Sequence, residues 1–183
     1  MYKYLITSKE FYRDEITLFC DILATQIEKH QPTHILYRDK DNRNYAEQAS
    51  HFVQISRPYK NLKVFIHQDI ELAKKLGADG VHLSSTQFCD IAKAKDLGLI
   101  VIISTHTKEE ISKAKDLGAD AVTYSPIFVS PNKGNPKGLE NLKEAIRESD
   151  IDIFALGGIV TEEHIRSLEK IGVYGFASIR YFY

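Results

Sequence analysis

Two kinds of hydrophobic pattern alternate along this chain. Short unbroken apolar runs, such as Ile100-Val101-Ile102-Ile103, are followed by longer stretches in which apolar positions return every three or four residues. An unbroken run suits a strand buried on both faces, as in a parallel sheet, and the longer period suits a helix that buries one face. The pattern predicts eight strands, over Tyr2–Ile6, His34–Tyr37, Lys63–Ile66, Gly80–Leu83, Leu99–Ile103, Ala121–Tyr124, Ile153–Leu156 and Tyr174–Ala177. Between them it predicts helices over Glu10–His30, Tyr45–Ser56, Ile70–Leu76, Gln87–Leu97, Lys108–Leu117, Leu139–Glu148 and Glu162–Ile171.

The joins carry a repeated mark. Leu76-Gly77, Leu97-Gly98, Leu117-Gly118 and Ile171-Gly172 each stand between a helical stretch and the next apolar run. The residue after a helix often takes a positive φ, where a Cβ is costly, so glycine there reads as a helix stop. Thr107 and Thr161, each followed by acidic residues, read as helix N-caps placed at the positive end of the helix dipole. Strand and helix alternating eight times point to a closed parallel (βα)8 barrel of TIM type rather than an open sheet.

At 183 residues the chain suits one domain, so 1–183 is expected to be a single compact barrel. Little chain follows the eighth strand, which predicts an eighth helix absent or reduced to a stub. A gap of that kind could be covered by a second copy, so a homodimer is expected. Composition adds mainly exclusions. A formal net charge of -1 argues against nucleic acid or an anionic membrane as partner. No apolar run is long enough to span a bilayer, and the first residues read as a strand rather than a signal peptide, so a cytoplasmic protein is expected. Cys20 and Cys89 lack the CxxC spacing of a metal or redox site and read as reduced thiols.

Barrels of this kind build their sites from the loops at the C-terminal ends of the strands. That rule selects Arg38 and Lys40 after the second strand, His67 and Gln68 after the third, and Ser84, Ser85 and Gln87 after the fourth. It also selects Ser104 and His106 after the fifth strand, and the long loop from Ser125 to Gly138, with Ser130 and Lys133, after the sixth. The Gly157-Gly158 pair follows the seventh strand, and Ser178, Ile179 and Arg180 follow the eighth. Adjacent glycines let backbone N–H groups approach an anion, and phosphate sites in such barrels commonly use the last two strand ends. Gly157, Gly158, Ser178, Ile179 and Arg180 are therefore the expected phosphate site. Arg38 and Lys40 favour an anionic ligand. His106 suits general acid–base work. His30, His34, His51, His82 and His164 read as structural histidines.

Four segments in order carry a family resemblance: Leu76-Gly77-Ala78-Asp79-Gly80-Val81-His82-Leu83, Ser104-Thr105-His106-Thr107, Ser125-Pro126-Ile127-Phe128 and Ala155-Leu156-Gly157-Gly158-Ile159. From about Leu36 to Phe182 the chain resembles the thiamine phosphate synthase and thiazole tautomerase superfamily. The resemblance implies a phosphorylated thiazole as ligand. The synthase branch joins this thiazole to a pyrimidine pyrophosphate with the help of magnesium. The tautomerase branch isomerises a thiazole carboxylate phosphate without metal. The synthase's metal-binding Asn-Asp pair aligns with His67-Gln68, and its second aspartate aligns with Gln87. Two amides in place of carboxylates are poor magnesium ligands. The expectation is accordingly a tautomerase-type isomerase with no cofactor or metal. His106 would be catalytic, with Arg38, Lys40, His67, Ser104, Ser130 and Lys133 on the substrate. A divergent magnesium-dependent synthase and a non-catalytic precursor-binding barrel are the alternatives.

Overall fold

The computed structural model describes residues 1–39, 41–131 and 133–183. Eight parallel strands close into a barrel in sequence order: β1 (Tyr2–Ile6), β2 (His34–Tyr37), β3 (Lys63–His67), β4 (Gly80–Leu83), β5 (Ile100–Thr105), β6 (Ala121–Tyr124), β7 (Asp152–Leu156) and β8 (Gly175–Ser178). β8 pairs with β1, Tyr4 opposite Ala177, which completes the ring. The expected strands are all present, with β3, β5 and β8 running on by one or two residues at the end where the site was sought.

The outer layer comprises α1 (Lys9–Tyr12), α2 (Ile16–His30), α3 (Tyr45–Ser56), α4 (Ile70–Leu76), α5 (Ile91–Asp96), α6 (Lys108–Asp116), α7 (Gly138–Glu148) and α8 (Glu162–Ile171). One predicted helix is broken in two. Arg13 takes a positive φ of 65 and ends α1, and the Glu15 carboxylate then accepts from the Thr17 and Leu18 amides to start α2. A second is shortened at its start, where Phe88–Asp90 forms a 3-10 turn before α5. Gly77, Gly98, Gly118 and Gly172 all carry positive φ, as their positions after helices predict.

Alternation along each strand separates two cores. Tyr4, Ile6, Leu36, Phe65, Ile102, Ala121, Phe154 and Ala177 point inward and fill the lumen. The other set, including Leu5, Ile35, Val81, Val101, Val122 and Phe176, packs under the helices. The lumen is filled by pairing large with small. Phe65 lies opposite Gly80 and Phe154 opposite Gly175 in register. A Cβ at Gly80 would come within 2.6 Å of the Phe65 ring, and one at Gly175 within 2.5 Å of the Phe154 ring.

The repeated Gly-Ala-Asp segments close the opposite end of the barrel. Asp79 accepts the Val64 amide at 2.9 Å, and Asp120 accepts the Val101 amide at 2.7 Å. Each carboxylate satisfies a strand-end donor of the neighbouring strand, a structural duty on the stability face of the barrel.

β8 is followed by a 3-10 turn, Arg180–Phe182. Phe182 is fully buried, stacked on Phe176 at 5.6 Å and edge-on to His30 at 5.5 Å. Tyr183 packs against Phe11 at 4.6 Å. Phe182 and Tyr183 thus pack the end of the chain onto α1, α2 and β8. Among the described residues no helix is long and apolar enough to cross a membrane.

Replacing Phe182 with Ala is expected to cost about 3–5 kcal/mol, read as a lower midpoint in urea unfolding. A pH effect follows from His34, which burial pushes down to about 4, with Lys63 acting the same way. Between about pH 6.5 and 4 the unfolded chain protonates this histidine and the folded chain does not, so protons favour unfolding. Stability is expected to fall as pH drops through that window and to fall less steeply in His34→Phe.

Candidate functional site at the C-terminal mouth of the barrel

Continuing the inward alternation above the apolar lumen brings Arg38, His67, Ser104 and His106 to the mouth. Arg38 is half-buried, and its backbone N–H donates to Thr7 Oγ1 at 2.9 Å. Burial lowers the pKa of its guanidinium, with Asp39 and Tyr45 acting in the opposite sense. His67 ends β3 half-buried; its carbonyl accepts from Tyr45 Oη, and its ring meets His82 edge-on at 6.3 Å. Lys40, an expected substrate contact, lies outside the described residues.

His106 is held by both backbone and ring. Its N–H donates to the Glu110 carboxylate, and the Glu110 N–H donates to Thr107 Oγ1, so the start of α6 anchors the residue. Its Nδ1 lies 3.1 Å from the Ser125 carbonyl oxygen and 3.3 Å from Ser125 Oγ. A carbonyl oxygen only accepts, so in the neutral ring Nδ1 carries the proton and Nε2 keeps its lone pair. That tautomer is the one a general base needs.

Gly157 and Gly158 have φ 97 and 72, a region that disfavours side chains. Their positions are also crowded. A Cβ on Gly157 would lie 2.8 Å from Pro126 Cα, and one on Gly158 2.5 Å from the Val129 carbonyl oxygen. The loop after β6 lies against them, with Ile127 N–H bonded to Leu156 O and Phe128 N–H to Gly157 O. Glycine is thus needed here for packing as well as for any approach of a ligand.

Ser178 lends its hydroxyl to the same construction. It donates to the Ile159 carbonyl at 2.8 Å and accepts the Tyr181 N–H at 3.2 Å, tying the β7 loop to the β8 end. That tie commits the hydroxyl proton to the Ile159 carbonyl. Ile179 packs half-buried on the lumen cluster, while Arg180 is exposed at the start of the last turn. Ser130 and Lys133 sit on the β6 loop joined by a backbone bond of 3.3 Å; Lys133 is exposed, and no ion pair among the described residues draws it to the mouth.

Three lumen residues were missed from the sequence. Tyr4 Oη lies 3.0 Å from His82 Nδ1, and His82 Nε2 lies 3.1 Å from Ser104 Oγ. Thr123, opposite Ser104 in register, is buried, and its hydroxyl has no partner among the described residues. Period-two alternation could have found them, since Tyr4 and His82 occupy inward positions. Two open concavities lie elsewhere, one of about 430 Å³ around Lys113 on α6 and one of about 550 Å³ around Gln31 and Tyr59. Neither is lined by the strand-end groups.

The magnesium positions implied by the family resemblance are occupied by groups suited to another task. Gln87 Oε1 accepts from Ser84 N and Oγ, while its Nε2 donates to Gln68 O at 3.3 Å and Asp90 Oδ2 at 3.1 Å. A carboxylate cannot donate, so this tie is specific to an amide. Asp69 caps α4 by accepting the Leu72 N–H. Among the described residues no three His, Cys, Asp or Glu side chains are grouped to hold a metal ion. These residues do not fit the family's magnesium cage. Gln87→Glu is expected to lower stability by about 1–3 kcal/mol, measured by thermal unfolding, because two acceptors lose their donor and Asp90 gains a like charge.

Comparison with known proteins agrees with this architecture. The thiamine monophosphate synthase family model matches residues 3–182. A putative thiamine-phosphate synthase 2 of Aquifex aeolicus is 34% identical over 98% of this chain and 96% of its own length. A thiamine-phosphate synthase of Caldicellulosiruptor bescii is 37% identical over 61% of this chain and 52% of its own. Among solved structures, a thiamine phosphate pyrophosphorylase from Pyrococcus furiosus superimposes with a TM-score of 0.82 at 27% identity, covering 97% of this chain and 85% of that one. An N-acetylmannosamine-6-phosphate 2-epimerase from Clostridium perfringens, at 13% identity and a TM-score of 0.75, shares the fold alone. None of these relatives bears the tautomerase name toward which the sequence reading leaned. With the match running through all eight strands, this chain belongs to the thiamine monophosphate synthase family.

Proposed function

We propose that the C-terminal mouth binds a phosphorylated thiazole and that the chain acts as a thiamine-phosphate synthase, a transferase. In that reaction a pyrimidine pyrophosphate loses pyrophosphate as its carbon becomes bonded to the thiazole. The observation that carries this reading is the family match over nearly the whole barrel, with a relative aligned over 96% of its own length named a putative synthase. The same match moves the weight away from the isomerase expected from the sequence.

The roles are assigned by position and charge. Gly157, Gly158, Ile179 and Arg180 form the phosphate end, with Ser178 holding the two loops together. Arg38, Lys40 and Lys133 supply cations for the pyrophosphate, which favours a planar guanidinium or an ammonium. His67, Ser104 and Ser130 contact the rings. Magnesium, where a synthase uses it, neutralises pyrophosphate; this chain offers it no carboxylate cage at the family's positions.

Tautomerisation of a thiazole carboxylate phosphate is the second reading. It is favoured by the neutral Gln87 tie and by a His106 ring whose Nε2 is available as a base. Purified protein given pyrimidine pyrophosphate and thiazole phosphate, with and without magnesium, is expected to form thiamine phosphate and pyrophosphate in equal amounts. Isomerisation of the carboxylate substrate without any condensation would instead establish the second reading, and binding without turnover would leave a precursor-binding barrel. Under the isomerase reading His106→Asn should lower the rate by about 10²–10⁴ with little change in affinity, measured by steady-state kinetics.

A further inference from the structure

Inside the barrel, beneath the mouth, a line of hydrogen bonds crosses three strands. Tyr4 on β1 is fully buried, with Oη 3.0 Å from Nδ1 of His82 on β4. His82 is itself buried, and its Nε2 reaches Ser104 Oγ on β5 at 3.1 Å. Ser104 alone of the three is half-exposed. Burial drives the His82 pKa well below its ordinary value, with His67 and Arg38 acting in the same direction, so the ring is neutral and carries one proton.

A neutral ring allows two arrangements of protons. In the first, Tyr4 O–H donates to Nδ1, Nε2–H donates to Ser104 Oγ, and the Ser104 O–H is free to donate into the mouth. In the second, Ser104 donates to Nε2, Nδ1–H donates to Tyr4 Oη, and the Tyr4 proton has no acceptor. The Tyr4 ring is enclosed by Phe65, Phe154 and His34, and among the described residues His82 is its hydrogen-bond partner. An unmade buried hydrogen bond favours the first arrangement by roughly 10- to 100-fold.

We propose that Tyr4 and His82 are positioning residues that hold the Ser104 hydroxyl as a hydrogen-bond donor toward the bound ligand. The inference rests on the reading that the mouth is the ligand site. It adds a selection rule, namely that the atom placed against β5 is an acceptor, such as an unprotonated ring nitrogen or an anionic oxygen. A ligand presenting an N–H there meets a donor and is disfavoured.

Two measurements test it. Long-range ¹H–¹⁵N spectra of the labelled protein should show His82 protonated at Nε2 and bare at Nδ1; the opposite tautomer overturns the relay. Binding of thiazole phosphate, followed by calorimetry, should weaken about 3- to 10-fold in Tyr4→Phe. The same substitution in a Ser104→Ala background should have no further effect. An unchanged affinity in Tyr4→Phe, or an equal loss in both backgrounds, overturns the proposal, the second outcome marking Tyr4 as merely structural. Failure of the unsubstituted protein to bind thiazole phosphate would sink the ligand assignment, and the His82 tautomer would still decide the relay.

Discussion

A closed ring of eight strands leaves a lumen that only inward side chains can fill, and the rest of this structure follows from how it is filled. Two phenylalanines, Phe65 and Phe154, occupy most of the lower lumen, and each requires glycine as its register partner on the next strand. Close packing leaves no room for both a ring and a Cβ at those positions. Above this apolar floor the inward positions are no longer constrained by volume, and polar residues take over. The boundary falls at Tyr4, whose ring belongs to the floor and whose hydroxyl belongs to the network above.

At the mouth, hydrogen-bond commitments decide what each polar group can offer a ligand. Gln87 and Ser178 look from their strand-end positions like ligand contacts, yet each joins one loop to another and has its donors engaged. His106 and Ser104 differ from them. In each, the bond that anchors the residue also sets the direction of a second, outward group, Nε2 of His106 and the hydroxyl of Ser104. Anchoring of that kind removes the entropic cost of orienting a group at the moment of binding.

The loop after β6 links these features to the phosphate end. It lies on Gly157 and Gly158, and its Phe128 stacks on His164 of α8 at 4.1 Å. Movement of that loop would therefore be felt at the glycine pair and at the start of α8 together. The aromatic residues after β8 play a matching role there, where Phe182 is buried against Phe176 of the outer core.

Local chemistry made much of this legible in the sequence. Unbroken apolar runs marked the strands, glycines marked helix ends, and the order of elements implied a barrel, because backbone conformation and two-sided burial depend on neighbours in the chain. The break at Arg13 escaped notice because it rests on a positive φ without the usual glycine. The residues at the strand ends were also legible, since topology alone places them at one mouth. Their roles were not. His82 read as a bland core histidine and Gln87 as a lost metal ligand. Only the tertiary fold brought Tyr4 to one nitrogen of His82 and Ser104 to the other, and only it brought the Gln68 carbonyl to Gln87, whose other partners, Ser84 and Asp90, are its neighbours in the chain. Hydrogen bonds between residues 22 and 78 positions apart are set by the closure of the barrel, and that closure is a property of the whole chain rather than of any segment.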